Sequence, residues 1–239
     1  MSLTIKRAFH LMSLGILFFA ALQVGKADSL TLYTTGVANN GTLLAAGSAD
    51  SHYQYLNSNS SGQNVVVTSS NPPAWAANTG SSQWVSIDAN GNKDYPNGTY
   101  TFRTTFTIDP TQNYLLSTAT ITGSLRTDDR VRIFLNGKDT GIDLPPGTGS
   151  GYLPGALSTF AISSGFVLGV NTLDFVIQNT PASATPIGLQ VVTIAGSIQG
   201  PITTVTPEPT TLLLLGTGLA GLAAGLRRKR KPSNTASQN

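Results

Sequence analysis

The feature that most constrains this chain is a two-residue alternation of apolar and polar side chains, which dominates residues 98 to 198. Between Tyr100 and Ile108 the bulky apolar residues fall on one face of an extended strand, and the intervening Arg and Thr residues fall on the other. No stretch between Asp28 and Pro201 shows a sustained 3.6-residue period. The middle of the chain is therefore predicted to be all-β. Further alternating strands are predicted at Ala119–Leu125, Val131–Leu135, Leu173–Ile177 and Leu189–Ile198.

Turn signals divide these runs into about nine short strands. Asn136-Gly137 follows an alternating run and predicts a tight hairpin, because both central residues of such a turn need a positive φ. This pattern is typical of an antiparallel β-sandwich or jelly roll. Weaker strands are predicted at Leu30–Thr34, Asn64–Thr68, Gln83–Ile87 and Leu157–Ile162, and long loops at Gly47–Gly62, Asn71–Ser82 and Asp143–Gly155.

The first 27 residues have the pattern of an export signal. Lys6 and Arg7 precede a mostly apolar stretch, and the small residues Gly25 and Ala27 stand two apart, as signal peptidase requires. Residues 1–27 are thus predicted to form a signal helix that directs the chain to the Sec machinery and is cleaved after Ala27. The alternative is a retained N-terminal anchor, which the shortness of the apolar stretch disfavours.

The C-terminal region combines a proline motif, an apolar run and a basic cluster. Pro207, Glu208 and Pro209 precede the apolar run, and the five residues from Arg227 to Lys231 follow it. Residues 210–226 form 17 positions, which span about 26 Å as a helix and approach the length that crosses a bilayer. A transmembrane helix is therefore predicted here, with the basic cluster on the cytoplasmic side. The basic cluster comprises Arg227, Arg228, Lys229, Arg230 and Lys231.

These three parts, in this order, resemble the PEP-CTERM sorting signal of Gram-negative bacteria. The resemblance covers Val205 to Lys231. It implies that an exosortase, a membrane-embedded processing enzyme, recognises Pro207, Glu208 and Pro209. The precursor would be held at the inner membrane, and processing would send its ectodomain to the cell surface or the exopolysaccharide matrix. The predicted parts are then a signal peptide (1–27), an all-β extracytoplasmic domain (28–204), the sorting signal (205–231) and a disordered tail (232–239).

Charge is segregated along the chain. Eight of the 14 basic residues lie in the two end segments, and the region from Asp28 to Thr206 holds six basic residues against ten Asp. A domain with this excess of acidic groups has no basic stripe to neutralise phosphates, so nucleic acid is not expected as a partner. The chain has no Cys, which excludes disulfides and thiolate chemistry.

A second resemblance concerns the β-rich middle. Trp84, the strand from Tyr100 to Phe106, the Thr127-Asp128-Asp129 turn and the run from Val131 to Gly137 look like a galactose-binding-like jelly roll, as does Asn171–Val176. Such domains occur as carbohydrate-binding modules and as accessory domains of glycoside hydrolases. The likeness implies a fold and a class of ligand, exopolysaccharide, but it carries no particular binding residue over to this chain.

Aromatic residues on the predicted loops are the candidate sugar-binding groups. Trp75 follows Asn71-Pro72-Pro73-Ala74, and the prolines stiffen the loop, so its ring could offer a flat platform to a sugar. The alternative for Trp75 is a lid over one end of the sandwich. Tyr53 and Tyr55 are further candidates on a predicted loop, whereas Trp84 heads a strand and is expected in the core.

Carboxylates provide weaker candidates for a structural Ca²⁺. Asp128 and Asp129 form the densest acidic cluster, and Asp50 lies just before His52. Oxygen ligands on loops suit Ca²⁺. The alternative is a solvated turn whose carboxylates cap N–H groups and pair with Arg130 or Arg132. No other cofactor is expected.

Catalysis is not expected. His52 is the only His left after signal cleavage, it has no second His, Cys or Glu near it, and no Gly-x-Ser-x-Gly elbow is present. The sequence therefore favours a non-catalytic surface or matrix protein that contacts polysaccharide. Two alternatives stay open: an exopolysaccharide hydrolase or lyase using an Asp pair such as Asp128 and Asp129, and a structural surface protein without a ligand.

Overall fold

The computed structural model describes residues 26–56, 62–144, 151–179, 184–200 and 209–228. The predicted signal helix lies almost wholly outside these described residues. The described part contains eleven strands and one helix. They are β1 (Ala27–Leu30), β2 (Ala49–Leu56), β3 (Gly62–Val67), β4 (Val85–Ser86), β5 (Gly98–Ile108), β6 (Leu115–Asp128), β7 (Arg130–Leu135), β8 (Lys138–Leu144), β9 (Ser158–Ile162), β10 (Gly169–Asn179), β11 (Gly188–Gln199) and α1 (Pro209–Arg228).

The strands form one antiparallel sheet that nearly closes on itself. Its order is β8-β7-β10-β5-β2-β3-β4-β11-β6-β9, and β1 pairs with β11 outside this path. The two ends of the order meet again, since β8 and β9 line one cavity of about 360 Å³. The all-β class is confirmed, and the nearly closed antiparallel sheet agrees with the predicted sandwich or jelly roll.

The predicted alternation determines which side chains fill the core. Phe102, Phe106 and Ile108 of β5 are buried, while Thr105 and Thr107 between them are exposed. Opposite halves of the sheet meet in the interior, where the rings of Phe160 and Phe175 pack edge to face with centroids 6.1 Å apart. The strand faces that the alternation predicted to be apolar are therefore the faces buried in the core. Their burial is the main favourable contribution to the free energy of folding.

The Asn136-Gly137 hairpin is confirmed. Both residues have positive φ, 52° and 73°, and they connect β7 to β8. Because the mirror-image turn matches the right-handed twist of the flanking strands, it fixes the pairing of Leu135 with Lys138.

Three strand predictions were wrong. Gly47–Gly62 was predicted to be a loop, but it contains β2. No strand was predicted at β8. A strand was predicted at Leu30–Thr34, but β1 spans Ala27–Leu30. Polar residues outnumber apolar ones in β8 and break the alternation there, and a bulge interrupts the alternation of β2.

The C-terminal helix begins at Pro209 and ends at Arg228, close to the predicted bounds. Proline suits the first position of a helix, where its missing N–H has no intrahelical partner to lose. Within the described ranges, no helix is long and apolar enough to cross a membrane. The helix is thus confirmed, and its predicted transmembrane crossing is not.

Candidate functional site

Trp75 lies inside the protein, which corrects the expectation of an exposed platform. Only 6% of its surface is exposed, and its ring packs against Trp84 with centroids 4.3 Å apart. Its indole N–H donates to Oδ2 of Asp128 at 2.8 Å. The loop folds inward because the buried carboxyl of Asp128, far away in sequence, accepts the hydrogen bond of the indole. Trp75 therefore covers core residues, as the alternative for it stated. Trp84 is fully buried, as expected.

Tyr53 and Tyr55 lie on β2, not on a loop. Tyr53 is fully buried, and its hydroxyl donates to the carbonyl oxygen of Tyr33 at 2.7 Å. Burial raises the pKa of Tyr53 well above its ordinary value. Tyr55 is half-buried and packs against Tyr100 and Phe102, with ring centroids 6.3 Å and 6.2 Å apart. The structure thus gives Trp75, Tyr53 and Tyr55 separate packing partners, and it offers no shared groove formed by the three rings.

Asp128 is a buried carboxyl whose pKa is raised to about 8, chiefly by burial and then by a hydrogen bond to Asp129. The N–H of Trp75 opposes this rise. At neutral pH Asp128 therefore holds a proton, and its carboxyl is in contact with that of Asp129. Glycoside hydrolases generally hold their two carboxyls roughly 5–10 Å apart across a groove, and this contacting pair differs from that arrangement.

The other acidic candidates have structural partners. Asp50 is fully buried and accepts the backbone N–H groups of Gly36 at 2.7 Å and His52 at 2.9 Å. Burial raises the pKa of Asp50, and the two hydrogen bonds oppose that rise. Across the ranges that the structure describes, no three His, Cys, Asp or Glu side chains come together as a metal site would require. Calcium at Asp50, Asp128 or Asp129 stays a prediction.

The structure brings together a different set of residues, which the sequence did not single out as a site. They line a cavity of about 310 Å³, called here the Tyr33–His52 pocket. Its lining residues are Thr31, Tyr33, Ser51, His52, Thr105, Phe106 and Thr107.

An irregularity in β2 creates this pocket. Asp50 pairs with Val65 of β3, but the next paired residue, Gln54, faces Asn64, so three residues bulge out opposite a single step of β3. Among the described residues, β2 pairs with β5 only from Gln54 to Leu56. Beside the bulge, β2 is therefore separated from Thr105–Thr107 of β5. Asp50 holds the bulge in shape through its hydrogen bonds to Gly36 and His52.

Two stacked rings form part of the wall. The rings of Tyr33 and His52 lie 3.6 Å apart and are nearly parallel, with an angle of 8° between them. The Nε2 atom of His52 is buried and has no hydrogen-bond partner within the described part of the chain. Burial lowers the pKa of His52, although the charge of Asp50 opposes this. The imidazole is therefore neutral at pH 7, and Nε2 can donate or accept a hydrogen bond according to the tautomer.

Hydroxyl groups complete the pocket. Thr31, Ser51, Thr105 and Thr107 are exposed. The sequence signal for two of them was present, since the alternation of β5 directs Thr105 and Thr107 outward. Their convergence with Tyr33 and His52 depends on the bulge, which no local pattern indicates. The pocket offers aromatic surface, neutral hydrogen-bonding groups and no charged side chain.

The sorting residues belong to the C-terminal segment. Pro207 and Glu208 lie outside the described residues, Pro209 opens α1, and Arg227 and Arg228 end it. Lys229, Arg230 and Lys231 also lie outside the described part. Comparison with protein families finds a match to the PEP-CTERM protein-sorting motif over residues 205–230. The chain carries a PEP-CTERM sorting motif.

The PEP-CTERM match confirms the first resemblance and indicates an exported surface protein targeted to an exosortase. It covers the C-terminal segment and does not extend into the β domain. No curated protein matches the chain. The function of the β domain must therefore be inferred from its structure.

Proposed function

We propose that this chain is a non-catalytic surface or matrix protein that an exosortase releases and that contacts polysaccharide through its β domain. The PEP-CTERM motif at residues 205–230 carries the proposal, because it indicates export and exosortase targeting. The remaining steps follow from the order of the segments and from the chemistry of the β domain.

The proposed sequence of events begins with export. The Sec machinery takes up the N-terminal signal, and signal peptidase cleaves after Ala27. Residues 210–226 then cross the inner membrane, and the five basic residues from Arg227 to Lys231 stay on the cytoplasmic side, where positive residues are favoured. Cleavage near Pro207–Pro209 frees the β domain for the cell surface or the extracellular matrix.

The environment of the acidic residues supports a non-catalytic role. Asp143 accepts hydrogen bonds from Nε and Nη2 of Arg130, each at 2.5 Å, and Asp139 pairs with Arg132. Asp128 is buried beneath Trp75. A general acid or base must reach the substrate within hydrogen-bond distance, and these carboxyls are occupied by structural partners. The polysaccharide part of the proposal is supported by the polar, aromatic Tyr33–His52 pocket.

The sorting step can be tested by changing the two prolines of the motif. In cells that contain the exosortase, the double substitution Pro207→Ala with Pro209→Ala should leave the precursor uncleaved, because it removes both prolines of the motif that the enzyme is proposed to recognise. Immunoblots of membrane and medium fractions would show a longer, membrane-associated form. Glu208→Gln tests whether the enzyme also needs the carboxylate charge.

Pro232→Ala provides the control, since it removes a proline beyond the basic cluster and should leave processing unchanged. Normal release of the Pro207→Ala, Pro209→Ala double variant would contradict recognition of the motif. Separately, failure of the released wild-type protein to remain with isolated exopolysaccharide would remove the polysaccharide part and leave the sorting part intact.

A further inference from the structure

We propose that the Tyr33–His52 pocket binds one sugar unit of a neutral glycan. This inference rests on the proposed contact with polysaccharide and assigns it to a site and to a class of ligand. The site is built from the bulge of β2, from the chain that follows β1 and from β5.

The hydrogen-bonding groups of the pocket suit a ligand rich in hydroxyls. Thr31, Ser51, Thr105 and Thr107 each present a group that can both donate and accept. No hydrogen bond from these four side chains to another described residue is found, so they are available to a ligand. A sugar ring offers several hydroxyls at similar spacing and can engage more than one of them.

The imidazole adds a directed group. Nε2 of His52 is buried without a partner among the described residues. An unpartnered buried polar atom costs free energy unless something binds it. Nε2 is closed to solvent in this structure, so a neighbouring side chain must turn aside before a sugar hydroxyl supplies the missing hydrogen bond, which a neutral imidazole can then donate or accept.

The two rings provide the apolar part of the wall. Tyr33 and His52 stack at 3.6 Å and hold each other in place. Carbon-bound hydrogens on a sugar ring pack well against such surfaces, and rings that are already fixed lose little conformational freedom on binding. The backbone of Tyr33 is fixed as well, since its carbonyl accepts the hydroxyl of Tyr53 at 2.7 Å.

The size and charge of the pocket narrow the ligand class. A volume of about 310 Å³ is at the lower end for ligand sites, which suits a single sugar unit rather than a long segment. Among the described residues that line the pocket there is no lysine or arginine, and Asp50 is close enough to His52 for its charge to act on the imidazole. A uronate would lose hydration without gaining a cationic partner, so neutral sugars are favoured over acidic ones.

The test compares the full chain with two variants against defined oligosaccharides. The probes are neutral oligomers of glucose, galactose, mannose and xylose, with oligogalacturonate as the acidic probe, and binding is measured by isothermal titration. Thr105→Val with Thr107→Val removes two hydroxyls and keeps the β-branched shape that suits a strand. We expect the affinity for the best neutral probe to fall about tenfold.

His52→Phe is the second variant. It preserves an aromatic ring beside Tyr33 and removes the unpartnered nitrogen, so it should weaken binding without lowering the melting temperature. Thr99→Val is the control, because Thr99 lies on the same strand and the same face but outside the pocket. Its affinity should equal that of the wild type.

The outcomes separate this inference from the proposed function. Binding of a neutral probe that falls in both pocket variants and not in the control supports the pocket. If the protein is retained on exopolysaccharide and both pocket variants bind the oligosaccharides with wild-type affinity, the pocket is not the binding site, and the proposed function stands. Binding of oligogalacturonate alone overturns the neutral class. Absence of binding to every probe and to exopolysaccharide overturns both.

Discussion

At the scale of single residues, buried polar contacts decide the structure around Trp75. Its indole N–H donates to Asp128, its ring lies on Trp84, and its edge presses against Gly188. The sequence indicated a loop here correctly. It could not indicate that the loop folds inward, because the carboxyl that receives the indole N–H lies 53 residues further along the chain.

The buried carboxyl of Asp128 should make stability depend on pH. Its folded pKa, about 8, exceeds the ordinary value of 3.8, so the folded state binds the proton more tightly. The stability it contributes is therefore complete below about pH 4 and is lost as the pH rises through 8. Asp128→Asn is neutral throughout and keeps an oxygen for the indole. The free energy of unfolding should fall between pH 5 and pH 8 by about 1 kcal/mol or more in the wild type relative to this variant.

The comparison with the variant is needed because the titration of His52 changes stability with pH in the direction opposite to that of Asp128. Burial lowers the pKa of His52, so its contribution to stability rises with pH through its folded pKa. Urea unfolding at several pH values, taken as wild type minus Asp128→Asn, cancels that contribution. Asp109→Asn is the control, since its exposed carboxyl has a lowered pKa and titrates below this range. A difference that stays constant from pH 5 to pH 8 would contradict the buried proton.

Gly188 is the residue whose size matters most beside Trp75. A Cβ at this position would lie 2.3 Å from Cη2 of Trp75, and the indole cannot retreat because Trp84 packs against it. Gly188→Ala should therefore lower the free energy of unfolding by about 1–3 kcal/mol. Gly80→Ala, where no atom lies within 4 Å of the added carbon, should change it by about 0.5 kcal/mol or less. Equal urea midpoints for the two variants would show that the contact can relax.

At the scale of elements, the strands with strong alternation were predicted and the polar ones were not. The strand at Tyr100–Ile108 was read correctly because its bulky residues enter the core every second position. β2 was not predicted because three of its residues form a bulge. The bulge interrupts the two-residue alternation by which a strand is recognised in a sequence. The same bulge forms the candidate pocket, so missing the element also meant missing the site.

Cross-strand pairing on the outer face should contribute unequally to stability. Arg103 of β5 and Asp174 of β10 are directly opposite and form two hydrogen bonds, at 2.6 Å and 2.7 Å. The Asp174 side chain is only 8% exposed, whereas both side chains of the Lys93–Asp88 pair are more than 40% exposed. A two-pronged contact to a buried carboxylate is stronger than a surface ion pair.

Replacing each cation by methionine isolates this difference, because the aliphatic stem is kept. Arg103→Met leaves the carboxylate of Asp174 buried without its partner and should cost about 1–3 kcal/mol of unfolding free energy. Lys93→Met should leave the denaturation midpoint nearly unchanged, since water replaces the lost contact. Chemical denaturation of both variants provides the measurement, and similar losses would mean that the buried carboxylate finds another partner.

At the scale of the whole molecule, most of the basic residues lie in the two end segments that processing is proposed to remove. The PEP-CTERM motif was predictable because its recognition is local: a proline motif, an apolar run and a basic cluster follow one another along the chain. The β domain was predictable only in class, since its pocket and buried hydrogen bonds join residues distant in sequence. The charges are again a property of the sequence, and they yield a prediction that needs no structure.

Each processing step should change the net charge by a fixed amount. The full chain has 14 basic and 11 acidic residues and a net charge of +3. Loss of residues 1–27 removes Lys6, Arg7 and Lys26, which leaves 11 of each sign and a net charge of zero. Cleavage at the sorting motif removes five more basic residues, so the released form carries −4, or −5 if Glu208 stays with it.

Isoelectric focusing with immunodetection can therefore identify the three forms in one cell sample. The released form should focus well on the acidic side of neutrality, the form that has lost only its signal near neutrality and the precursor on the basic side. The Pro207→Ala, Pro209→Ala double variant alters no charge, so it should accumulate the near-neutral form and lose the acidic one. An acidic form that persists in this variant would mean that release occurs at some other bond, because only removal of the basic cluster produces so large a shift.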